Sequence, residues 1–243
     1  MKRCCQALGF ISVALLSSWA ALALVNAIAL ARTPDGKTVS QRVVQYGAVV
    51  DRRLAPVFAS RNIPYPPTRL ALIGFKGERV LEVWATDKDG MYQFIKSYPI
   101  LAASGKPSPK LRQGDGQVPE GIYRIELLNP NSLYHLALRV SYPNDFDRQQ
   151  AARDGRSDLG GDIMIHGGAG SSGCLAMGDE AAEDLFVLAA RTGLAKVVVI
   201  LSPVDFRRRD LPRQTSQPAW IPGLYMDIRK ALSIFPKPTA LDS

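Results

Sequence analysis

The chain has 243 residues, 47% of them hydrophobic and 21% charged, which suits one globular domain with a sizeable core and short terminal extensions; a second domain is not required. Its net charge of +8 points to an anionic partner. Nucleic acid is excluded, because the basic residues are scattered and no helix-turn-helix, RNP or zinc-finger spacing is present.

Residues 1–31 carry only Lys2 and Arg3 as charges and then run apolar from Cys4 to Ala31, the pattern of a secretory signal or a membrane anchor. Small residues at Ala29-Leu30-Ala31 and Val25-Asn26-Ala27 offer cleavage sites, and Asn26 disfavours a permanent span, so cleavage is the preferred reading, with membrane attachment through residues 1–31 as the other. A cleaved product keeps a charge of about +6, and export directs it to the periplasm or cell envelope, where an acidic wall polymer or membrane surface would be met. Cys4 and Cys5 lie in the export segment. Cys174 is then a lone thiol in a compartment that normally pairs cysteines, and the chain has only two histidines, His135 and His166.

Residues 32–68 read as an N-terminal helical extension, with Gln41–Arg61 amphipathic (Val43, Val44, Gly47, Val50, Leu54, Phe58) and interrupted at Pro56. From Arg69 the period becomes two: strands Arg69–Phe75 and Arg79–Ala85 flank a Lys76-Gly77-Glu78 turn, and Tyr92–Leu101 completes an antiparallel meander. Ala102–Glu120 has too many glycines and prolines for a regular element and reads as a long ordered loop. Gly121–Leu128 alternates Ile122, Arg124 and Glu126 against Tyr123, Ile125 and Leu127, and Tyr134–Ser141 alternates Tyr134, Leu136, Leu138 and Val140 against His135, Ala137, Arg139 and Ser141. A polar connection, Tyr142–Gly161, leads to a short strand ending at His166. A helix starting near Asp179 ends at Gly193, and the apolar strand Lys196–Leu201 implies cover on both faces. Residues 203–243 form a C-terminal extension whose helix repeats Ile221, Leu224, Ile228, Leu232 and Phe235 and should pack on the sheet. The result is a β-rich α+β chain with its catalytic region at 69–202.

The informative stretch is His166-Gly-Gly-Ala-Gly-Ser-Ser-Gly-Cys174. A cysteine nucleophile needs a nearby imidazole to take its proton, and a strand end followed by a glycine-rich return can bring the two to one rim. The N–H groups of Gly173 and Cys174 are candidate oxyanion donors. If His166 pairs with the thiolate, Cys174 should react well below the ~8.5 of an ordinary thiol. The alternative is a buried, inert Cys174 beside a structural histidine. Zinc is not expected, since Cys174, His166 and Asp162 or His135 lack metal-ligand spacing, and no other cofactor is implied.

His166-Gly167 followed by Ser171-Ser172-Gly173-Cys174 resembles the YkuD-like L,D-transpeptidases. Ser104–Lys110 running into Gly114–Tyr123, Ser141-Tyr-Pro-Asn144 with Asp147, and Ile165-His-Gly167 resemble the YafK-type branch, the likeness covering roughly Arg69 to Leu201. The resemblance implies a β-rich mixed sheet or sandwich with peripheral helices and a peptidoglycan-modifying enzyme. Its Cys174 attacks a stem-peptide carbonyl at the L-centre of the third residue to form a thioester, and His166 is base, then acid, its second nitrogen held by a main-chain carbonyl. Amine attack completes a transpeptidation and water attack an amidase reaction; an inactive wall-binding module is a further alternative. The implied partners are stem peptides and a wall-linked lipoprotein.

Most of the wider family has His before the Gly-Cys and Arg two residues after it, whereas this chain has Ser172 and Ala176, a reduction shared by the YafK-type branch; acyl donor and acceptor stay open. Gly173 is the oxyanion candidate, and Ser171, Ser172, Gly167, His135 and Asn144 are candidate substrate contacts. His135 reads as lining the cleft rather than catalytic, Asn144 and Asp147 as bracing a loop, and Asp115 and Glu120 as ordering a turn rather than forming a glycosidase pair.

Overall fold

The computed structural model describes residues 36–211 and 217–238; residues 1–31, read from sequence as a signal or anchor, lie outside them. Helix α1 (Val39–Ser60) opens with a capping box in which Thr38 and Gln41 satisfy each other's backbone N–H groups. It does not break at Pro56 as the sequence suggests. Leu54 and Phe58 are buried on either side of the proline, and this packing outweighs the lost backbone hydrogen bond. Strands β1 (Leu70–Phe75), β2 (Val80–Thr86) and β3 (Tyr92–Pro99) form the expected meander. They continue through β4 (Ala102–Ala103), β5 (Gly121–Ser132), β6 (His135–Val140), helix α2 (Asp145–Arg153), β7 (Met164–His166), β8 (Leu175–Ala176), helix α3 (Asp179–Thr192), β9 (Val197–Ser202) and helix α4 (Ile221–Leu232).

Among the described residues the strands form one mixed sheet in the order β3-β2-β1-β9-β5-β6-β7-β8-β4, with β1·β9 and β7·β8 parallel. The architecture is α+β. As its unbroken apolar run implies, β9 is covered on both faces: Val199 and Leu201 pack with α1 and α3, and Ile200 faces α4. Residues Val50, Leu54 and Phe58 of α1 join the same core as Leu70, Leu72, Leu185 and Phe186. Ion pairs from Arg53 to Asp184 and Glu183 clamp α1 to α3. On the opposite face Leu224, Ile228 and Leu232 of α4, with Phe235, cover Ile73, Phe75 and Trp84, so the C-terminal helix packs on the sheet as its spacing predicts.

Two stretches differ from their sequence reading. The polar connection contains α2, whose few apolar residues give almost no periodic signal; Asn144 and Asp147 brace it as a capping box at its N-terminus. In β5 the alternation slips at a bulge between Ile125 and Leu127, turning Leu127 outward and Leu128 into the core.

The loop between β4 and β5 is ordered from beneath. Buried Lys76, at the β1–β2 turn, donates from Nζ to the carbonyls of Ser108 (2.9 Å) and Val118 (2.8 Å) and to Glu120 Oε1 (2.9 Å). The Tyr225 hydroxyl of α4 donates to Glu120 Oε2 at 2.9 Å. Asp115 orders its turn by accepting from the N–H groups of Leu111, Arg112 and Gln117 and from Lys110 Nζ. Glu120 therefore belongs to a buried ion pair rather than to a turn.

Candidate active site

Parallel pairing of β7 and β8 sets Ile165 opposite Leu175 and His166 opposite Ala176. Continuing that register by one residue places Cys174 opposite Met164. Side chains alternate along a strand, so Cys174 and His166 share one face of the sheet. The chain returns between them through residues 167–174, and Gly173 lies at φ +92°, a conformation that favours glycine and aims the next residue into β8.

The imidazole is buried and oriented. Nδ1 of His166 lies 2.6 Å from the Gly167 carbonyl, which can only accept, so Nδ1 carries the proton and Nε2 is the free acceptor. Tyr134 stacks on the ring, centroids 4.6 Å apart. Two backbone bonds hold the first turn of the return loop: Gly167 N–H donates to Leu136 O at 3.1 Å, and Met177 N–H donates to His166 O at 2.8 Å. Asp179, the first residue of α3, accepts from Gly168 N–H at 2.8 Å. Gly167 itself is locked in by contact, since a Cβ there would stand 2.6 Å from Asp179 Oδ1 and 2.7 Å from the Tyr134 carbonyl.

The thiol of Cys174 is partly buried. It accepts from Met164 N–H at 3.4 Å and donates to the Asp162 carbonyl at 3.6 Å, and no hydrogen bond joins it to His166. Burial pushes the thiol above its ordinary pKa and the charge of Asp162 adds to this, while the Met164 N–H and Lys110 act the other way. Burial thus works against the thiolate, whereas the sequence reading expects an imidazole to favour it. Sequence spacing supplied both groups but carried no information on desolvation.

The expected oxyanion donors have partners within the loop. Cys174 N–H donates to Ser171 Oγ at 3.1 Å, and the Ser171 hydroxyl donates back to Cys174 O at 2.5 Å. Ser171 is thus a staple of the turn, while Ser172 beside it is exposed. Gly173 N–H donates to Ser104 Oγ at 2.6 Å. Ser104 arrives there because β4 pairs with β8, Ala103 opposite Leu175 and Ala102 opposite Ala176. This short strand lies in the stretch that reads as loop.

The other histidine is not brought to the thiol. His135 has φ +70°, which breaks the alternation of β6, turning Tyr134 out onto His166 and sending the His135 ring toward α1 and α3. There its Nε2 lies 3.1 Å from Glu183 Oε1 and its ring meets Tyr46 edge-on. Asn144 caps α2, donates from Nδ2 to Ile122 O at 3.1 Å, and lines an open cleft of about 610 Å³ with Arg124, Arg139, Ser141 and Arg148. Arg139 of that cleft pairs with Glu126 (2.9 Å) and with Asp162 (3.3 Å), the residue whose carbonyl holds the thiol. Ser104, Tyr134, Arg139 and Asp179 were not singled out by sequence, although Ser104 stands in a recognised stretch. Among the described residues no group of three or more His, Cys, Asp or Glu side chains is placed to hold a metal ion.

Comparison with known proteins gives the family of the chain. The model of the YkuD family, described as the L,D-transpeptidase catalytic domain, matches residues 73–200. The chain is 37% identical over 114 residues to "Putative L,D-transpeptidase YafK" of Escherichia coli (strain K12), covering 46% of this chain and 44% of the relative. It thus spans less than half the length of the curated relatives it matches. Among solved structures, the helical cell shape determining protein Pgp2 from Campylobacter jejuni is 25% identical with a TM-score of 0.45, over 56% of this chain and 48% of that one. Bd1075 of Bdellovibrio bacteriovorus is 24% identical with a TM-score of 0.41, over 58% of this chain and 50% of that one. With a family match that takes in more than half of the 243 residues and includes both His166 and Cys174, the chain belongs to the YkuD family of L,D-transpeptidase catalytic domains.

Proposed function

We propose that the protein is an exported L,D-transpeptidase of the cell envelope that acts on peptidoglycan stem peptides through a Cys174 thioester. The observation that carries this reading is the parallel β7·β8 register, which sets Cys174 on the face of a buried imidazole whose Nδ1 is tied to Gly167 O and whose Nε2 is free to accept. Substrate entry transfers the Cys174 proton to His166 Nε2, and the sulfur attacks the carbonyl carbon at the L-centre of the third stem residue. Collapse of the tetrahedral intermediate breaks the C–N bond, the leaving amine takes the proton from His166, and a thioester remains. An acceptor amine, deprotonated by His166, then displaces the sulfur. Water in that place gives the amidase outcome, with a wall-linked lipoprotein as one source of the amide.

The test is purified protein with muropeptides, followed by product analysis and by intact mass of the enzyme. An acyl adduct on Cys174 that is lost in Cys174→Ala and His166→Ala supports the reading. Product formation unchanged by Cys174→Ala sinks it, and sacculus binding without any adduct identifies a binding module instead. Cross-linked against hydrolysed products separate transferase from amidase.

A further inference from the structure

We infer that Ser104 is a catalytic residue of this site, its hydroxyl donating to the oxyanion when Cys174 is acylated. The inference rests on Cys174 as nucleophile and follows from counting donors around it. Four donors on this rim are candidates: the N–H groups of Gly173 and Cys174 and the hydroxyls of Ser171 and Ser104. Cys174 N–H is spent on Ser171 Oγ, and the Ser171 hydrogen is spent on Cys174 O. Gly173 is buried, and its N–H donates to Ser104 Oγ at 2.6 Å. At rest, then, that N–H is taken up by Ser104. The Ser104 hydrogen alone has no acceptor among the described residues. Accepting from Gly173 also polarises the Ser104 O–H and strengthens it as a donor.

Position supports the count. Extending the β4·β8 register by one residue sets Ser104 opposite Cys174 itself. The strand that delivers Ser104 continues into the loop that buried Lys76 pins through Ser108 and Val118, so the hydroxyl is held in place before substrate arrives. A donor fixed in advance is what stabilises charge that develops only in the transition state.

The experiment compares two reactions of Cys174 in the full-length protein. S-phenyl thioacetate acylates the sulfur: the S–C bond forms through a tetrahedral oxyanion, thiophenolate leaves, and the thiol proton passes through His166 to it. Iodoacetamide alkylates the same sulfur by displacing iodide, with no oxyanion. Ser104→Ala is expected to slow acylation on the order of 10²-fold while alkylation at alkaline pH changes less than about threefold. Ser104→Thr, which keeps a hydroxyl, should restore acylation to within about tenfold of the parent. Equal or faster acylation in Ser104→Ala overturns the inference, as does Ser104→Thr acylating as slowly as Ser104→Ala. A parent protein that is alkylated but never acylated sinks the thioester reading and this inference with it, whereas acylation indifferent to Ser104 sinks only the role of Ser104.

Discussion

Replacing Lys76 by Met removes the cation that holds the β4–β5 loop from below, and its cost can be worked from three bonds. The Nζ of Lys76 donates at 2.8–2.9 Å to Ser108 O, Val118 O and Glu120 Oε1. Methionine fills the volume but leaves Glu120, 1% exposed, without its counter-charge and with neutral donors alone, the Tyr225 hydroxyl and the Ser108 N–H, and leaves two carbonyls without this donor. Removing one partner of a buried ion pair costs about 3–5 kcal/mol, because the other charge stays desolvated. For a folded unit of this size that lowers Tm by roughly 6–20 °C. The deficit should also depend on pH. Burial raises the Glu120 carboxyl, and without Lys76 nothing cationic opposes this, so the folded variant holds a proton that the unfolded one releases, and the deficit grows as pH rises above the ordinary carboxylate range. Urea unfolding at several pH values measures both quantities. Lys76→Met/Glu120→Gln, which removes the orphaned charge, should recover at least half of the loss. A single variant within about 1 kcal/mol of the parent, or a double variant no better than the single, would refute the argument.

Three further outcomes are expected. Burial pushes Asp147 up to about 6, so the folded chain binds a proton that the unfolded chain has lost between about pH 4 and 6, and stability falls as pH rises through that window; Asp147→Asn should flatten the slope, and parallel denaturation curves across the window would contradict it. Because burial raises the Cys174 thiol, its alkylation by iodoacetamide should be slow at pH 7 and climb only above the ~8.5 of a free thiol; a reactive limb below that value would show an imidazole-paired thiolate at rest. Gly167→Ala drives a Cβ to 2.6 Å from Asp179 Oδ1 and 2.7 Å from a backbone carbonyl, and should cost about 1–3 kcal/mol in thermal unfolding and slow acylation by tilting His166.

What was legible in the sequence was what short-range periodicity encodes. The β1–β3 meander, the α3 helix with Gly193 at its end, and the apolar stripe of α4 all announce themselves within a dozen residues. Strand β4 is two residues long in a proline- and glycine-rich stretch and exists only through pairing with residues more than 70 positions away, so no local signal marks the pairing that brings Ser104 to Cys174. The placement of His135 turned on one left-handed φ, which reverses a strand's alternation without changing its composition. His166 and Cys174 were visible as a spaced pair. That their side chains share a face follows from the β7·β8 register, and that the thiol is pushed up follows from burial, neither of which is written in spacing.

The return from β7 to β8 is a parallel connection made in only eight residues, where parallel neighbours ordinarily need a dozen or more. Leu175 lies opposite Ile165, so the connection regains only one residue of register, about 3.3 Å, but it must reverse direction twice, and it is tied down by Gly167 N–H to Leu136 O, Gly168 N–H to Asp179 and Cys174 N–H to Ser171 Oγ. Few residues are left to shed. The loop should therefore behave as a one-sided ruler: residues added near its exposed tip at Ala169-Gly170 meet only a slowly growing closure cost, whereas removing two residues cannot be absorbed without pulling β8 out of register. A register slip of one residue would swing Cys174 to the opposite side of the sheet from His166. The eight-step interval between the two residues is in this sense a minimum length set by mechanics, and insertional scanning of residues 167–173 should show tolerance to lengthening and none to shortening.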